Sequence, residues 1–226
     1  MARMFSYRLA VAGVFVISGM ALGIDGWGHQ GALEAGGETY AVLGSGVMQC
    51  YPSCHQNLYE SIIRHGGVIS EFPVYARAKP VFFPMRNRII SGLSDGILVV
   101  EAREKSGSLI TADAALEQGK DVFVIPGRIG DELSVGCNRL IRMGAVPVLT
   151  PDDILDYYGV KTSDGSRNVN ETEQKILSFL GGKTMHMDEI SAGLSLPMTQ
   201  VLKCMIVLQK KGYVIEVGRN FFMKKI

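Results

Sequence analysis

Six short runs rich in valine and isoleucine recur along the chain: Val14–Ile17, Thr39–Leu43, Val68–Ser70, Ile97–Glu101, Val122–Ile125 and the less regular Ala145–Leu149. They are unbroken rather than alternating, the pattern of strands covered on both faces, and such strands belong to parallel sheets. Between them lie stretches with helical spacing: Asp25–Ala35, His55–His65, Met85–Leu93, Leu109–Glu117 and Cys137–Met143. Gly36, Gly66 and Gly119 follow three of these, where a left-handed helix end is wanted. Strand alternating with helix predicts a doubly wound α/β domain, a Rossmann-like parallel sheet with helices on both faces, over residues 1–158.

Residues 159–170 are polar, contain Gly and Ser and lack periodicity, which predicts a linker. Beyond it, helices are expected over Glu171–Leu180, Met187–Leu194 and Pro197–Lys211, then a hairpin of Tyr213–Val217 and Phe221–Lys224. Three helices and a hairpin are the order of a winged helix, predicted here as a small C-terminal domain over 171–226. Charge separates the two parts. Residues 1–160 carry 13 Lys+Arg against 16 Asp+Glu, whereas 161–226 carry 10 against 6. Different partners are expected for them.

Several classes are excluded early. Arg3, Arg8 and the apolar run Leu9–Ile17 imitate a signal peptide, but Gly13, Ser18, Gly19 and Gly23 interrupt the pattern and no run is long enough to span a bilayer. Cys50, Cys54, Cys137 and Cys204 are too few and too irregular for a disulfide framework, and a reducing cytoplasm is expected. Cys50, Cys54 and His55 lack the second ligand pair of a zinc site, so no metal is expected. Neither G-x-x-x-x-G-K-[ST] nor a full G-x-G-x-x-G occurs, and no cofactor is expected. G-x-S-x-G and H-E-x-x-H are also missing. Glu71 and Glu101 are the only carboxylates placed for catalysis, and each could equally pair with Arg86 or Arg88.

Parallel sheets work at the carboxyl ends of their strands. Two small-residue turns fall there, Gly44-Ser45-Gly46 and Ser106-Gly107-Ser108, leaving backbone N–H groups open to an anion, with Ser108 opening a helix. The plainer alternative is a tight strand-to-helix turn. From Arg64 to Arg88 there are five basic residues and one acid in an otherwise acidic domain, with Tyr75, Phe82 and Phe83 interleaved. Cations for phosphates beside rings for bases suit single-stranded nucleic acid. The alternative puts the phenylalanines in the core and leaves the arginines solvated. His29, one turn beyond Asp25, could pair with it or be a satisfied helix histidine.

Ser18–Asp25 with His29, Ala41–Gly46, Ile69–Glu71, Phe83–Ser94, Val99–Ala102, Ser106–Ala112 and Pro126-Gly127 closely resemble, in order, the DprA/Smf family of DNA-processing proteins. The resemblance implies a cytoplasmic, usually homodimeric protein that binds and protects incoming single-stranded DNA and helps load the RecA recombinase in natural transformation, without catalysis. It implies Arg86, Asn87 and Arg88 in the DNA pocket, Lys79 and one of Phe82 or Phe83 near a base, and Ser106-Gly107-Ser108 beside a phosphate. Family members usually carry a preceding strand ending in Gly-Ser-Arg. The sequence here starts with the following helix, so an open edge beside Val14–Ile17 is expected. Two other functions compete. One is a Rossmann-like phosphoribohydrolase-type enzyme, although Ser106–Thr111 stands where its Pro-Gly-Gly-x-Gly-Thr turn would be. The other is a double-stranded DNA-binding regulator using the winged helix, where residues 196–226 hold six bases and one acid; a protein-interaction module is its equal alternative.

Overall fold

A computed structural model describes residues 1–160, 170–210 and 212–224. The chain divides into two units, Met1–Thr162 and Ser163–Ile226. Most of the expected linker, residues 161–169, lies outside the described residues.

The first unit runs α1 (Ala2–Val11), β1 (Val16–Ser18), α2 (Ile24–Glu34), β2 (Thr39–Val42), α3 (Gln56–Arg64), β3 (Gly66–Ile69), α4 (Phe82–Leu93), β4 (Gly96–Val99), α5 (Gly107–Glu117), β5 (Asp121–Val124), α6 (Val135–Arg142), β6 (Val146–Pro147) and α7 (Pro151–Tyr157). All strand pairs are parallel, as the unbroken apolar runs require. The strands form two sheets, ordered β1-β2-β3 and β4-β5-β6. β1 and β4 are therefore each an edge, and the expectation of an open edge at β1 meets this seam. Packing bridges it: Ile17 of β1 and Val42 of β2 share a core with Ile97 and Val99 of β4, Val122 and Val124 of β5, and Ile90 of α4. Phe5 and Leu9 of α1 join Phe123, Val148, Ile154 and Leu155 in another cluster. Each such side chain, fully withdrawn from water, contributes about 1.5–3 kcal/mol before the entropy cost of ordering it.

The expected glycine helix ends divide. Gly36 and Gly119 have φ of 70° and 68°, the left-handed conformation that favours glycine. Gly66 does not; it opens β3, where a Cβ would strike the backbone of Thr39. Its requirement is close strand approach.

The second unit contains α8 (Glu171–Leu180), β7 (Met185–His186), α9 (Met187–Leu194), α10 (Met198–Lys210), β8 (Val214–Gly218) and β9 (Phe221–Lys224). Its small antiparallel sheet has the order β7-β9-β8. Three helices and a hairpin appear in the order of a winged helix. Asn170 caps α8 by accepting from the Glu173 N–H while the Glu173 side chain accepts from the Asn170 N–H, a reciprocal box that fixes the helix start. Ile176, Leu180, Ile190, Val201, Met205 and Leu208 form a separate core. Among the described residues, no single helix is long and apolar enough to cross a membrane.

Candidate nucleic-acid interface

The carboxyl edge of β1-β2-β3 has an inner layer and an outer one. At the centre of the inner layer is Arg86, on the second turn of α4 and only 4% exposed. Its guanidinium donates to the Gly19 carbonyl (2.8 Å) and to the Val42 carbonyl, and its Nε donates to Asn87 Oδ1 (3.1 Å). Gly19 and Val42 lie at the ends of β1 and β2, so the cation ties both strand ends to α4. Burial pulls its pKa down from the ordinary arginine value, with Asp25 acting in the opposite direction. A Cβ on Gly19 would lie 2.5 Å from the guanidinium carbon, so glycine there is a condition for the approach. Asp25 in turn accepts from the N–H groups of Gly19 (3.1 Å) and Ala21 (3.3 Å).

The Gly44-Ser45-Gly46 turn belongs to this inner layer. All three residues are buried. A Cβ on Gly44 would lie 2.7 Å from the Phe83 ring, and the Gly46 N–H is spent on the Ala76 carbonyl (2.8 Å). Ser45 donates to Gln49 O (2.8 Å), and its carbonyl accepts from the Ser70 hydroxyl (2.6 Å). Phe83 packs against Tyr51 at 5.5 Å between ring centroids and has the Arg86 guanidinium 5.9 Å from its own.

The outer layer is the segment from Glu71 to Phe82, the exposed face of early α4, and the first turn of α5. Phe82 is stacked on Phe72 at 4.0 Å, and the Lys79 ammonium lies 5.5 Å from the Phe82 centroid. Tyr75 is 71% exposed. Arg88 is exposed and ion-paired to Glu71, one of the two pairings considered for it from sequence. Asn87 donates toward the Gly107 carbonyl (3.5 Å), joining α4 to the turn before α5. There Ser106 caps α5: its Oγ lies 2.8 Å from Ser108 Oγ and accepts from the Ser108 N–H (3.4 Å). Gly107 is exposed, with open space where a Cβ would be.

His29 does not take the role considered for it beside Asp25. It is fully buried, and its Nδ1 lies 2.7 Å from Thr39 Oγ1, whose hydroxyl donates to Val16 O (2.7 Å). Thr39 must then accept from Nδ1–H, while Nε2 is buried with no hydrogen-bond partner among the described residues. Burial holds the His29 pKa down at about 4, against a smaller upward pull from Asp25. Sequence reasoning missed Gly19, Tyr51 and Phe72, whose importance comes from contacts distant in sequence; only the Ser18-Gly19 pair after a strand hinted at the first.

The DNA recombination-mediator protein A family model matches residues 1–159. Protein Smf of Escherichia coli K12 is 38% identical over 97% of this chain and 62% of its own length. An X-ray structure of DNA processing protein A from Streptococcus pneumoniae superposes with a TM-score of 0.63 at 41% identity, covering 69% of this chain and 56% of that one. A DNA processing protein A structure from Helicobacter pylori, described for its single-stranded DNA binding mode, gives a TM-score of 0.61 at 28% identity over 70% of this chain and 71% of that one. The chain thus spans about three fifths of the length of Smf and little more than half of the solved pneumococcal chain. With an α/β unit of matching fold and a family match that runs through it from end to end, the chain belongs to the DNA recombination-mediator protein A family.

Proposed function

We propose that the α/β domain, residues 1–158, binds single-stranded DNA across its outer layer. Lys79, Arg88, Asn87 and Ser106-Gly107-Ser108 meet phosphates, and Phe82 supplies a base-stacking face. Arg86, Phe83 and Gly44-Ser45-Gly46 hold the layer in place from beneath. The observation that carries this reading is the pairing of Lys79 with the half-buried Phe72–Phe82 stack at the start of α4, together with the open first turn of α5, which Asn87 of α4 joins through the Gly107 carbonyl. The H. pylori relative's described binding mode supports the same ligand.

In this reading the protein is a cytoplasmic recombination mediator that acts as a homodimer, protects incoming DNA and assists RecA loading in transformation, and its action is binding rather than catalysis. A linker over 159–170 joins the domain to a winged helix over 171–226. Titration of labelled oligo-dT against duplex of equal length, at two salt concentrations, tests it. Single strands should bind more tightly, with an affinity that falls as salt rises. Equal affinity for both forms, or none for either, refutes it.

A further inference from the structure

The third helix of the second unit has an outer face of unusual composition for a DNA reader. Val201, Met205 and Leu208 of α10 are no more than 1% exposed and face the core. On the other side Met198, Leu202 and Ile206, spaced i, i+4 and i+8, are 38%, 43% and 55% exposed, with Val207 at 37%. That spacing puts them in one row along the helix. Lys203 is exposed in the adjacent row with Thr199. Solvated helix faces are normally polar, and isolated exposed aliphatics need no explanation, but a continuous row of them marks a contact surface.

Three occupants can be weighed. A major groove offers base-edge donors and acceptors lined by phosphates, and among its groups only the thymine methyl matches an aliphatic side chain. A second copy of the same face would bring like charges together, because residues 196–226 carry six Lys+Arg and only Glu216 as an acid. An acidic segment with aliphatic residues at helical spacing satisfies both features: its apolar row covers Leu202 and Ile206 while its carboxylates meet the exposed Lys203 in the adjacent row. We propose that the outer face of α10 docks an acidic amphipathic helix of a partner protein. The assignment is independent of the DNA reading of the α/β domain.

The test uses the full chain and a labelled peptide with leucines at every fourth position and Glu or Asp between them, followed by anisotropy. The Leu202→Ser, Ile206→Ser double variant should weaken binding at least tenfold, and Lys203→Glu should weaken it severalfold and flatten its salt dependence. Both should keep the parent's oligo-dT affinity and thermal midpoint. Equal binding of a peptide with serines in place of the leucines would overturn the proposal, since charge alone would then suffice. It is also overturned if the peptide fails to bind, and a double variant that then loses affinity for duplex DNA, for anionic phosphatidylserine vesicles, or for itself by sedimentation would give the face a different occupant.

Discussion

Replacing Arg86 by Met separates the inner layer of the interface from the outer one. Methionine keeps most of the aliphatic volume but removes the donors to the Gly19 and Val42 carbonyls at the ends of β1 and β2. Each buried acceptor left without a partner costs about 1–3 kcal/mol, and relief from burying the guanidinium offsets part of that. A net loss of about 3 kcal/mol follows. With a urea slope of about 2 kcal/mol/M for a unit of this size, the midpoint should fall by about 1.5 M. The only tryptophan, Trp27, lies on α2, so its fluorescence follows the α/β unit. A second substitution sharpens the argument. Gly19→Ala drives a methyl group into the guanidinium and should destabilise the parent by a similar amount, yet cost much less in an Arg86→Met background. An Arg86→Met variant that unfolds within about 0.3 M of the parent while losing oligo-dT affinity would refute this role, because the guanidinium would then be serving DNA and not the strand ends.

Arg88→Ala should leave the urea midpoint nearly unchanged, as an exposed pair with Glu71 contributes about 1 kcal/mol or less, while lowering the salt slope of oligo-dT binding by about 0.7 for one lost phosphate contact. Gly46→Ala sets a Cβ against the carbonyls of Pro73 and Val74, and calorimetry should show a melting temperature lower by about 6 °C, for a cost of about 2 kcal/mol. His29, neutral when folded with a pKa of about 4, takes up its proton near pH 6.5 when unfolded. The unfolded chain binds more protons between those values, so stability is full above about pH 6.5 and falls by about 3 kcal/mol as pH drops toward 4; urea midpoints across that window should lose this slope in His29→Gln.

Strands buried on both faces announce themselves as unbroken apolar runs, which is why β1 to β6 can be read from sequence to within a few residues. Helices α8 and α9 are equally legible, because acidic first turns and capping side chains mark their starts. Helix α4 starts at Phe82, three residues before the expected Met85; Pro84 within its first turn is tolerated there because that turn's N–H groups have no helical acceptor. Helix α7 carries its own start signal, with Pro151 at the first helical position and a Thr150–Asp153 capping box, but seven residues give too short a period to detect. Strand β7 has two residues and no pattern at all. In the interface, residue types and their grouping were legible, whereas depth was not. Arg86 and Arg88 are two positions apart on one helix, and one is buried while the other is exposed. What separates them is an acceptor 67 residues away whose own lack of a Cβ makes room.

The topology explains why this segment carries the interface. β3 closes one side of its sheet, and the next strand, β4, belongs to the other sheet, so the chain must return across β2 and β1 before it can continue. Helix α4 makes that return, packing on β2, β1 and α5. A helix that follows a parallel strand begins at the carboxyl edge, so the connection over residues 70–81 is laid along the edge where ligands of such sheets bind. Backbone in that position has no sheet partner, and it is held instead by Gly46 and Met48, whose N–H groups donate to Ala76 O and Val74 O. The same crossing sets the start of α4 over the ends of β1 and β2, where buried carbonyls need donors, and Arg86 supplies them. The cations and rings on the outside and the buried arginine inside are therefore two consequences of one crossover. Its length lets side chains face solvent, and its landing point calls for a buried donor.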